Sequence, residues 1–417
     1  MKTDRFGNPI VGDLPYARGN ILKSTEEDFR KLQKAWRIIG DCIAKRGKDS
    51  VYNFTGLERM LPVEAEDLAF MDDEFSPALN FEKFRKIALE HLGGDPVLHD
   101  IALFNRMTAA TLSTFLTLVK PGETVLGVSA TYSHASIIRA AAHVGAKFID
   151  TTGVEDFAEA LEAEKVSLVA LSRLAVTYDI LSLDDMKDVV NLAKRRGVTV
   201  YVDDAGGARV GPAIFNQPKM LELGVDVGAT GLDKYGTFGP RLGLIGGRRE
   251  LVTKIRAKAF EFGLEARPML YIAALRSLEK YRPERVVELV TSTKRLAAEL
   301  RLFFGEKLHE TPVTAQLLAE NILEITMKRV GITKPTIVPY EAVAALAMIL
   351  LQDYSIITVH FAGLPPGTAN VLFKFIPPET MERFGGARKL AQAVNASMDK
   401  LTKIIQNPDD VRKLLLD

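Results

Sequence analysis

The residues with the clearest chemical meaning lie in two neighbouring stretches. Val200-Tyr201-Val202-Asp203-Asp204-Ala205-Gly206-Gly207 is an apolar run that ends in a carboxylate and then in small residues. Such a run reads as a buried strand delivering Asp203 to the carboxyl edge of a sheet. About one strand and loop later, Gly231-Leu232-Asp233-Lys234-Tyr235 sets a lysine between Asp-Val-Gly-Ala-Thr and a glycine-rich turn. A carboxylate and a lysine on neighbouring strand ends suit a group needing a protonated ring nitrogen at one end and an aldehyde at the other. Pyridoxal phosphate is such a group. Lys234 is then the candidate for its Schiff base and Asp203 for the pyridinium partner, with Ala205 leaving room for the ring and Asp204 pointing away. The plain alternatives are a turn-capping Asp and a solvated loop lysine.

Other strand ends add candidates. A strand ends at Asn105, and Arg106-Met107-Thr108-Ala109-Ala110-Thr111 opens a helix whose first N–H groups, with the Thr108 and Thr111 hydroxyls, can bind a phosphate. The stretch Thr131-Tyr132-Ser133-His134 offers two rings, Tyr132 and His134, to lie over a pyridine, and the helix-start position favours His134. Arg173 follows the strand end Leu171-Ser172 and could take a substrate carboxylate bidentately, a surface ion pair being the alternative. The tract from Gly239 to Gly247 is spaced G-x-x-x-G-x-x-G and lies in a late strand, so it does not fit a dinucleotide-binding turn, and a Rossmann dehydrogenase is disfavoured.

The elements that must position these residues form an alternating pattern. Strands are expected near 101–105, 124–128, 147–151, 166–172, 198–203, 226–230 and 242–246, with helices at 108–119, 135–143, 156–164, 184–196 and 219–222. This is an α/β fold: a seven-stranded, mostly parallel sheet with helices on both faces. The lysine turn is too short for a helical crossover, so the seventh strand is expected to run antiparallel. Before the sheet come helices over 26–45, with Phe29, Leu32, Trp36, Ile39 and Cys42 as its packing stripe, and over 81–92. After it, a helical stretch to about 303 leads into a smaller α+β domain, with strands at 322–327, 356–360 and 371–376 and helices at 340–353 and 380–405. The division expected is an N-terminal segment over 1–75, a large domain over 76–285 and a small one over 286–417.

The 417 residues carry a formal net charge of +1, unlike the basic field of a dedicated nucleic-acid binder. The single cysteine, Cys42, excludes an intramolecular disulfide framework and a thiolate metal cage. Together with a polar N-terminus and the lack of a membrane-length apolar run, this leads us to expect a cytoplasmic protein.

In order and kind, these residues resemble fold type I pyridoxal phosphate enzymes, the aspartate aminotransferase fold. The local wording resembles most the selenocysteine synthases (L-seryl-tRNA(Sec) selenium transferases) and their archaeal homologues. The likeness rests on Asn53-Phe54-Thr55-Gly56, on Asn105-Arg106-Met107-Thr108-Ala109-Ala110, and on Leu232-Asp233-Lys234 leading to Gly243-Leu244-Ile245-Gly246. It spans roughly residues 50–400 in architecture and is specific over 203–247. The resemblance implies that Lys234 holds the aldehyde, Asp203 the ring nitrogen and residues 106–108 the phosphate. It also implies a homodimer or larger assembly with shared active sites, to which Thr55 and Arg241 contribute. Where many aminotransferases grip the substrate carboxylate with arginine, Lys374 stands here, a point charge without the guanidinium fork. The expectation is an enzyme acting on an amino acid or related amine, a lyase or transferase of the selenium-transferase type. The alternatives are an aminotransferase, a tRNA-dependent seryl-to-selenocysteinyl transferase, which the near-neutral charge disfavours, and a non-catalytic nucleotide-binding α/β protein.

Overall fold

Ser24 caps the first helix, α1 (Thr25–Arg46), in a capping box with Glu27, and acidic residues fill its first turn. The computed structural model describes residues 2–417. The buried face of α1 is Asp28, Lys31, Leu32 and Ala35, whereas Phe29 and Trp36, expected to face inward, are exposed and meet edge to face at 5.9 Å. A polar network sets this rotation: Lys31 and Arg18 each donate to Asp28 at 3.0 Å, and the Tyr340 hydroxyl donates to it as well. Next comes β1 (Tyr52–Asn53).

The sheet region then unfolds in chain order. It runs α2 (Phe75–Leu92), β2 (His99–Phe104), α3 (Met107–Leu118), β3 (Thr124–Ser129), α4 (Ala135–His143) and β4 (Lys147–Thr152). It continues with α5 (Gly153–Ala163), β5 (Val166–Ser172), α6 (Leu183–Arg195), β6 (Thr199–Asp203), α7 (Gly207–Phe215), β7 (Val227–Gly231), β8 (Gly243–Arg248), α8 (Arg249–Phe262) and α9 (Tyr271–Glu279). The order across the sheet is β2-β8-β7-β6-β5-β3-β4. Neighbours are parallel except β8, which is antiparallel to both β7 and β2, as the short lysine turn requires. Strands alternate their side chains between two cores: Val200 and Val202 enter one, Tyr201 the other. Strand order reverses between β3 and β5, and the carboxyl ends of β3, β5, β6 and β7 open beside that point, where α/β sheets bind ligands.

Helix α7 was not expected, and the helix expected at 219–222 is only a 3₁₀ turn, Leu221–Leu223. Two glycines and Pro212 make 207–215 look like a loop. The glycines are required by packing instead: a Cβ at Gly207 would lie 2.2 Å from Asp204 Oδ1, and one at Gly211 2.4 Å from Arg173 Nη1.

The remaining elements are α10 (Pro283–Phe304), β9 (Leu308–Thr311), β10 (Thr314–Leu318), α11 (Ala319–Val330), α12 (Pro339–Tyr354), β11 (Ile356–Ile357), β12 (Asn370–Lys374), α13 (Pro378–Phe384), α14 (Ala387–Ile404) and α15 (Pro408–Leu415). Strands β12, β10 and β9 form an antiparallel sheet, and β1 pairs in parallel with β11. The strand expected at 322–327 lies inside α11, where Ile322, Leu323, Thr326 and Met327 are buried at helical spacing. The chain divides into two compact units, Leu57–Val287 and Met1–Gly56 with Glu288–Asp417. The N-terminal stretch to Gly56 thus joins the C-terminal residues in one unit rather than standing apart, because β1 and α1 pack on β11 and α12.

Candidate active site

Asp203 is the last residue of β6, level with Ser172 of β5 and Ala229 of β7. Its buried carboxylate accepts one hydrogen bond, from Ala205 N at 3.2 Å to Oδ1. Burial pushes it up to about 6, opposed by the positive charge of Lys234 and reinforced by Asp204. Asp204 points elsewhere, into a fully enclosed ion pair with Arg173 at 2.8 Å. Arg173 also donates to the Pro218 carbonyl at 2.7 Å. Arg173 therefore does not offer its guanidinium to a substrate. It rivets the ends of β5 and β6, since a charge buried beside a second strand end takes the carboxylate it finds there.

Lys234 sits in the turn between β7 and β8. Thr237 holds the turn, its hydroxyl donating to Lys234 O at 2.8 Å and accepting from Lys234 N at 3.2 Å. Among the described residues the Lys234 amine makes no hydrogen bond. Burial lowers it from the ordinary lysine range; Asp233 and Asp203 oppose the shift, and Arg209 and Arg59 add to it. Asp233 accepts from Arg59 Nε at 2.7 Å. Although burial raises it, Lys234, Arg59 and Arg241 outweigh that and hold it below the usual carboxylate range. Tyr235 follows with φ +48° and hydrogen-bonds Tyr178, itself at φ +73°, at 2.8 Å between hydroxyls. Its ring lies where a Cβ on Gly206 would be, 2.2 Å from ring carbon Cε2.

Arg106 caps α3, and the first N–H groups of that helix have no partner within it. β8 starts against this cap: a Cβ on Gly243 would lie 2.7 Å from Arg106 O and 3.0 Å from Met107 N. Arg241, two residues before, is crowded by the Arg59 and Arg106 guanidinium groups; burial and these like charges push it down to about 10. Among the described residues neither Arg106 nor Arg241 makes an ion pair or a side-chain hydrogen bond. Together with the N–H groups at Met107 and Thr108 they could hold a phosphate. Thr111, expected to help, is buried and bonded to the Tyr201 hydroxyl at 2.9 Å. Asn105 donates to the Gly263 carbonyl at 3.3 Å.

His134 caps α4: its Nδ1 accepts from Ser136 N at 3.1 Å and shares a hydrogen bond with Ser136 Oγ at 2.7 Å. Desolvation of the imidazole pushes it down to about 4, with Lys234 and Arg139 as further causes. The residue as a whole remains exposed. Tyr132 is pushed up to about 12 by burial and by Asp179. Thr55 and Lys374 come together in the other unit. Thr55 bonds Asn53 Oδ1 through N at 3.0 Å and Oγ1 at 2.7 Å, and a Cβ on Gly56 would lie 2.2 Å from Lys374 O.

Sequence reasoning missed Arg209, Tyr178 and Tyr235. For Arg209 the only signal was a lone arginine in the small, apolar stretch Gly207-Ala208-Arg209-Val210-Gly211. Pyridoxal phosphate fits the residues present. Among the described residues there is a buried carboxylate with no bonded cation, a lysine amine with no hydrogen bond, two guanidinium groups without an ion pair near a helix start, and small residues, Ala205 and Gly231, on the strand ends that carry the carboxylate and the lysine.

No family model matches the chain. It is 32% identical over 400 residues to a UPF0425 pyridoxal phosphate-dependent protein of Methanothermobacter thermautotrophicus, covering 95% of this chain and 100% of that one. A protein of the same description from Methanosphaera stadtmanae is 30% identical over 394 residues, covering 93% and 98%. Among solved structures, the chain is similar to a Sphingomonas wittichii serine palmitoyltransferase at TM-score 0.60, with 18% identity and coverage of 85% and 88%. It is also similar to an alanine–glyoxylate aminotransferase from Nostoc sp. at TM-score 0.57, with 16% identity and coverage of 83% and 95%. These two likenesses are of fold.

Proposed function

The chain belongs to the UPF0425 family of pyridoxal phosphate-dependent proteins, and from that premise we propose a lyase or transferase of the selenium-transferase type that acts on an amino acid or related amine. That it is a pyridoxal phosphate enzyme of the fold type I architecture follows from the family and the fold. The observation that carries the site is a pair on neighbouring strand ends: Asp203 closes β6, Lys234 follows the adjacent β7, and among the described residues the Lys234 amine makes no hydrogen bond while its charge acts on the buried Asp203.

Lys234 would hold the aldehyde, Asp203 the ring nitrogen, His134 the ring face, and Arg106, Met107, Thr108 and Arg241 the phosphate. When bound, pyridoxal phosphate supplies an electron sink for charge developing at the substrate α-carbon. Lys234 supplies the rest. Lowered from its ordinary range, it is unprotonated in a larger fraction near neutral pH, first as nucleophile and then as the base that holds the substrate's α-proton. Asp203, still ionised above about 6, holds a proton on the atom facing it. His134, neutral and fixed by its cap, covers the site without adding charge. Support for a lyase or transferase over an aminotransferase comes from the sequence: where the resemblance would set a carboxylate-gripping arginine, this chain has Lys374, a point charge without the guanidinium fork.

We also read the enzyme as a homodimer in the cytoplasm. Met60, Leu61, Leu68, Phe70, Phe75 and Leu79 are large apolar side chains left exposed in the stretch of chain that follows Arg59, and a second copy would cover them. No helix among the described residues is long and apolar enough to cross a membrane.

The test is direct. Purified protein supplied with pyridoxal phosphate and reduced with borohydride should carry a pyridoxyl group on the peptide containing Lys234. Amino acids that perturb the visible band then name the substrate class. Protein that stays colourless and unlabelled ends this reading.

A further inference from the structure

Arg209, the third residue of α7, is fully buried and among the described residues has no carboxylate within ion-pair distance. Its Nη2 donates to three acceptors on two strand ends: Gly231 O at 2.6 Å, Thr230 Oγ1 at 2.9 Å and Ala205 O at 3.1 Å. Ala205 lies two residues after Asp203, and its N–H bonds that carboxylate; Gly231 lies three residues before Lys234. One guanidinium nitrogen therefore ties the segment carrying Asp203 to the segment carrying Lys234. Nη1 meets His91 Nε2 at 3.3 Å, and Nε has no partner.

The comparison with Arg173 shows why this matters. Arg173 ties β5 to β6 and its charge is cancelled by Asp204. The direct partners of Arg209 are all neutral, so its positive field is not cancelled at contact. His91 is kept neutral, pushed down to about 3 by burial, by Arg209 and by Lys219. Burying a guanidinium without a bonded carboxylate is costly, and three acceptors on one nitrogen offset that cost only with the two strand ends at one spacing.

We propose that Arg209 is a positioning residue for Lys234 and Asp203, fixing the spacing of the strand ends that carry them and setting near Lys234 a positive charge that no bonded carboxylate neutralises. The groups acting on Lys234 are Asp233 and Asp203, which oppose that field, and Arg59, which adds to it. Around Arg209 itself stand Tyr281, Asp204, Asp233 and Tyr235. The inference rests on the reading of Lys234 given above.

The experiment uses the full chain without cofactor. The pH dependence of Lys234 acylation by a limiting amine reagent is measured by peptide mass spectrometry in the wild type and in Arg209→Met, Arg209→Lys and Thr230→Val. Pyridoxal phosphate retention, melting temperature and circular dichroism are measured in parallel. In Arg209→Met the acylation midpoint should move up by about one pH unit or more, and retention should fall about tenfold or more. Arg209→Lys should keep the midpoint near wild type, because the charge remains, but lose retention, because an ammonium cannot reproduce the fork. Thr230→Val should weaken retention without moving the midpoint. A folded Arg209→Met with an unchanged midpoint overturns the proposal, as does an equal midpoint shift in Met and Lys variants. If neither Arg209 variant folds, Arg209 serves the fold alone and the proposal also fails. Wild-type protein that takes no pyridoxyl label at Lys234 refutes the Lys234 reading instead, so the two failures are separable.

Discussion

Arg173 donates to Asp204 at 2.8 Å with both side chains fully enclosed, and this pair decides which of two adjacent carboxylates is left for chemistry. Asp204 is engaged by a guanidinium that ties β5 to β6. Asp203, one residue earlier on the opposite side of the strand, keeps no bonded cation and is driven up to about 6.

The two aspartates should therefore respond oppositely to amidation. The folded pKa of Asp203 is raised, so its protonated form favours the fold, and stability is lost as pH rises from its unfolded value of 3.8 through about 6. Asp203→Asn removes that penalty and should stabilise the cofactor-free protein above pH 6 by on the order of 1–3 kcal/mol, while weakening pyridoxal phosphate retention. Asp204→Asn orphans Arg173 and should destabilise by about 3–5 kcal/mol. Chemical denaturation of both variants at pH 5 and 7.5 measures this; loss of stability in Asp203→Asn would contradict it.

Among the described residues Arg241 makes no ion pair or side-chain hydrogen bond, and it is crowded by Arg59 and Arg106. Arg241→Ala should relieve that repulsion, leaving the melting temperature unchanged or higher. It should also weaken pyridoxal phosphate binding about 10- to 100-fold, the worth of one charge-assisted contact. Inorganic phosphate should compete with the cofactor in the wild type and lose that ability in the variant.

Tyr178 and Tyr235 hold each other through their hydroxyls, both at positive φ, where bulky residues are strained. Tyr178→Phe leaves the Tyr235 hydroxyl without that bond and should cost about 1–2 kcal/mol. Because Tyr235 adjoins Lys234, the rate of borohydride-trappable labelling should fall while its final extent stays complete. Unchanged labelling kinetics would show that the pair serves stability alone.

His360 is buried, stacked against Tyr340 at 5.9 Å and near Lys31, and burial holds its pKa well below the ordinary 6.5. The unfolded chain takes up a proton as pH falls through 6.5 and the folded one does not. Stability is thus complete above 6.5 and falls below it, by about 1.4 kcal/mol per pH unit for one such histidine. His360→Phe, which keeps the stack, should flatten the acid slope between pH 6 and 4.5 by about one proton's worth, read by denaturant titration at each pH.

By itself the sequence determined what depends on neighbours in the chain. Continuous apolar runs such as Val200-Tyr201-Val202 placed all seven strands of the main sheet, and the short lysine turn required β8 to run antiparallel. Asp203, Lys234 and the helix start at Arg106 were legible because strand ends and caps are local features. Tertiary structure decided the rest. The apolar residues of 322–327 fit both periods, and only packing in α11 chose the helix. α7 forms against its glycine content because Arg173 and Asp204 occupy the space beside it. The pairing of β1 with β11 joins residues some three hundred positions apart, and it draws the N-terminal stretch into the C-terminal unit. In the sequence Arg173 stood out at a strand end as a possible grip on substrate, and Arg209 went unread. A buried charge takes its role from its partners, and those partners, Asp204 for one and three neutral acceptors for the other, are brought together only by the sheet.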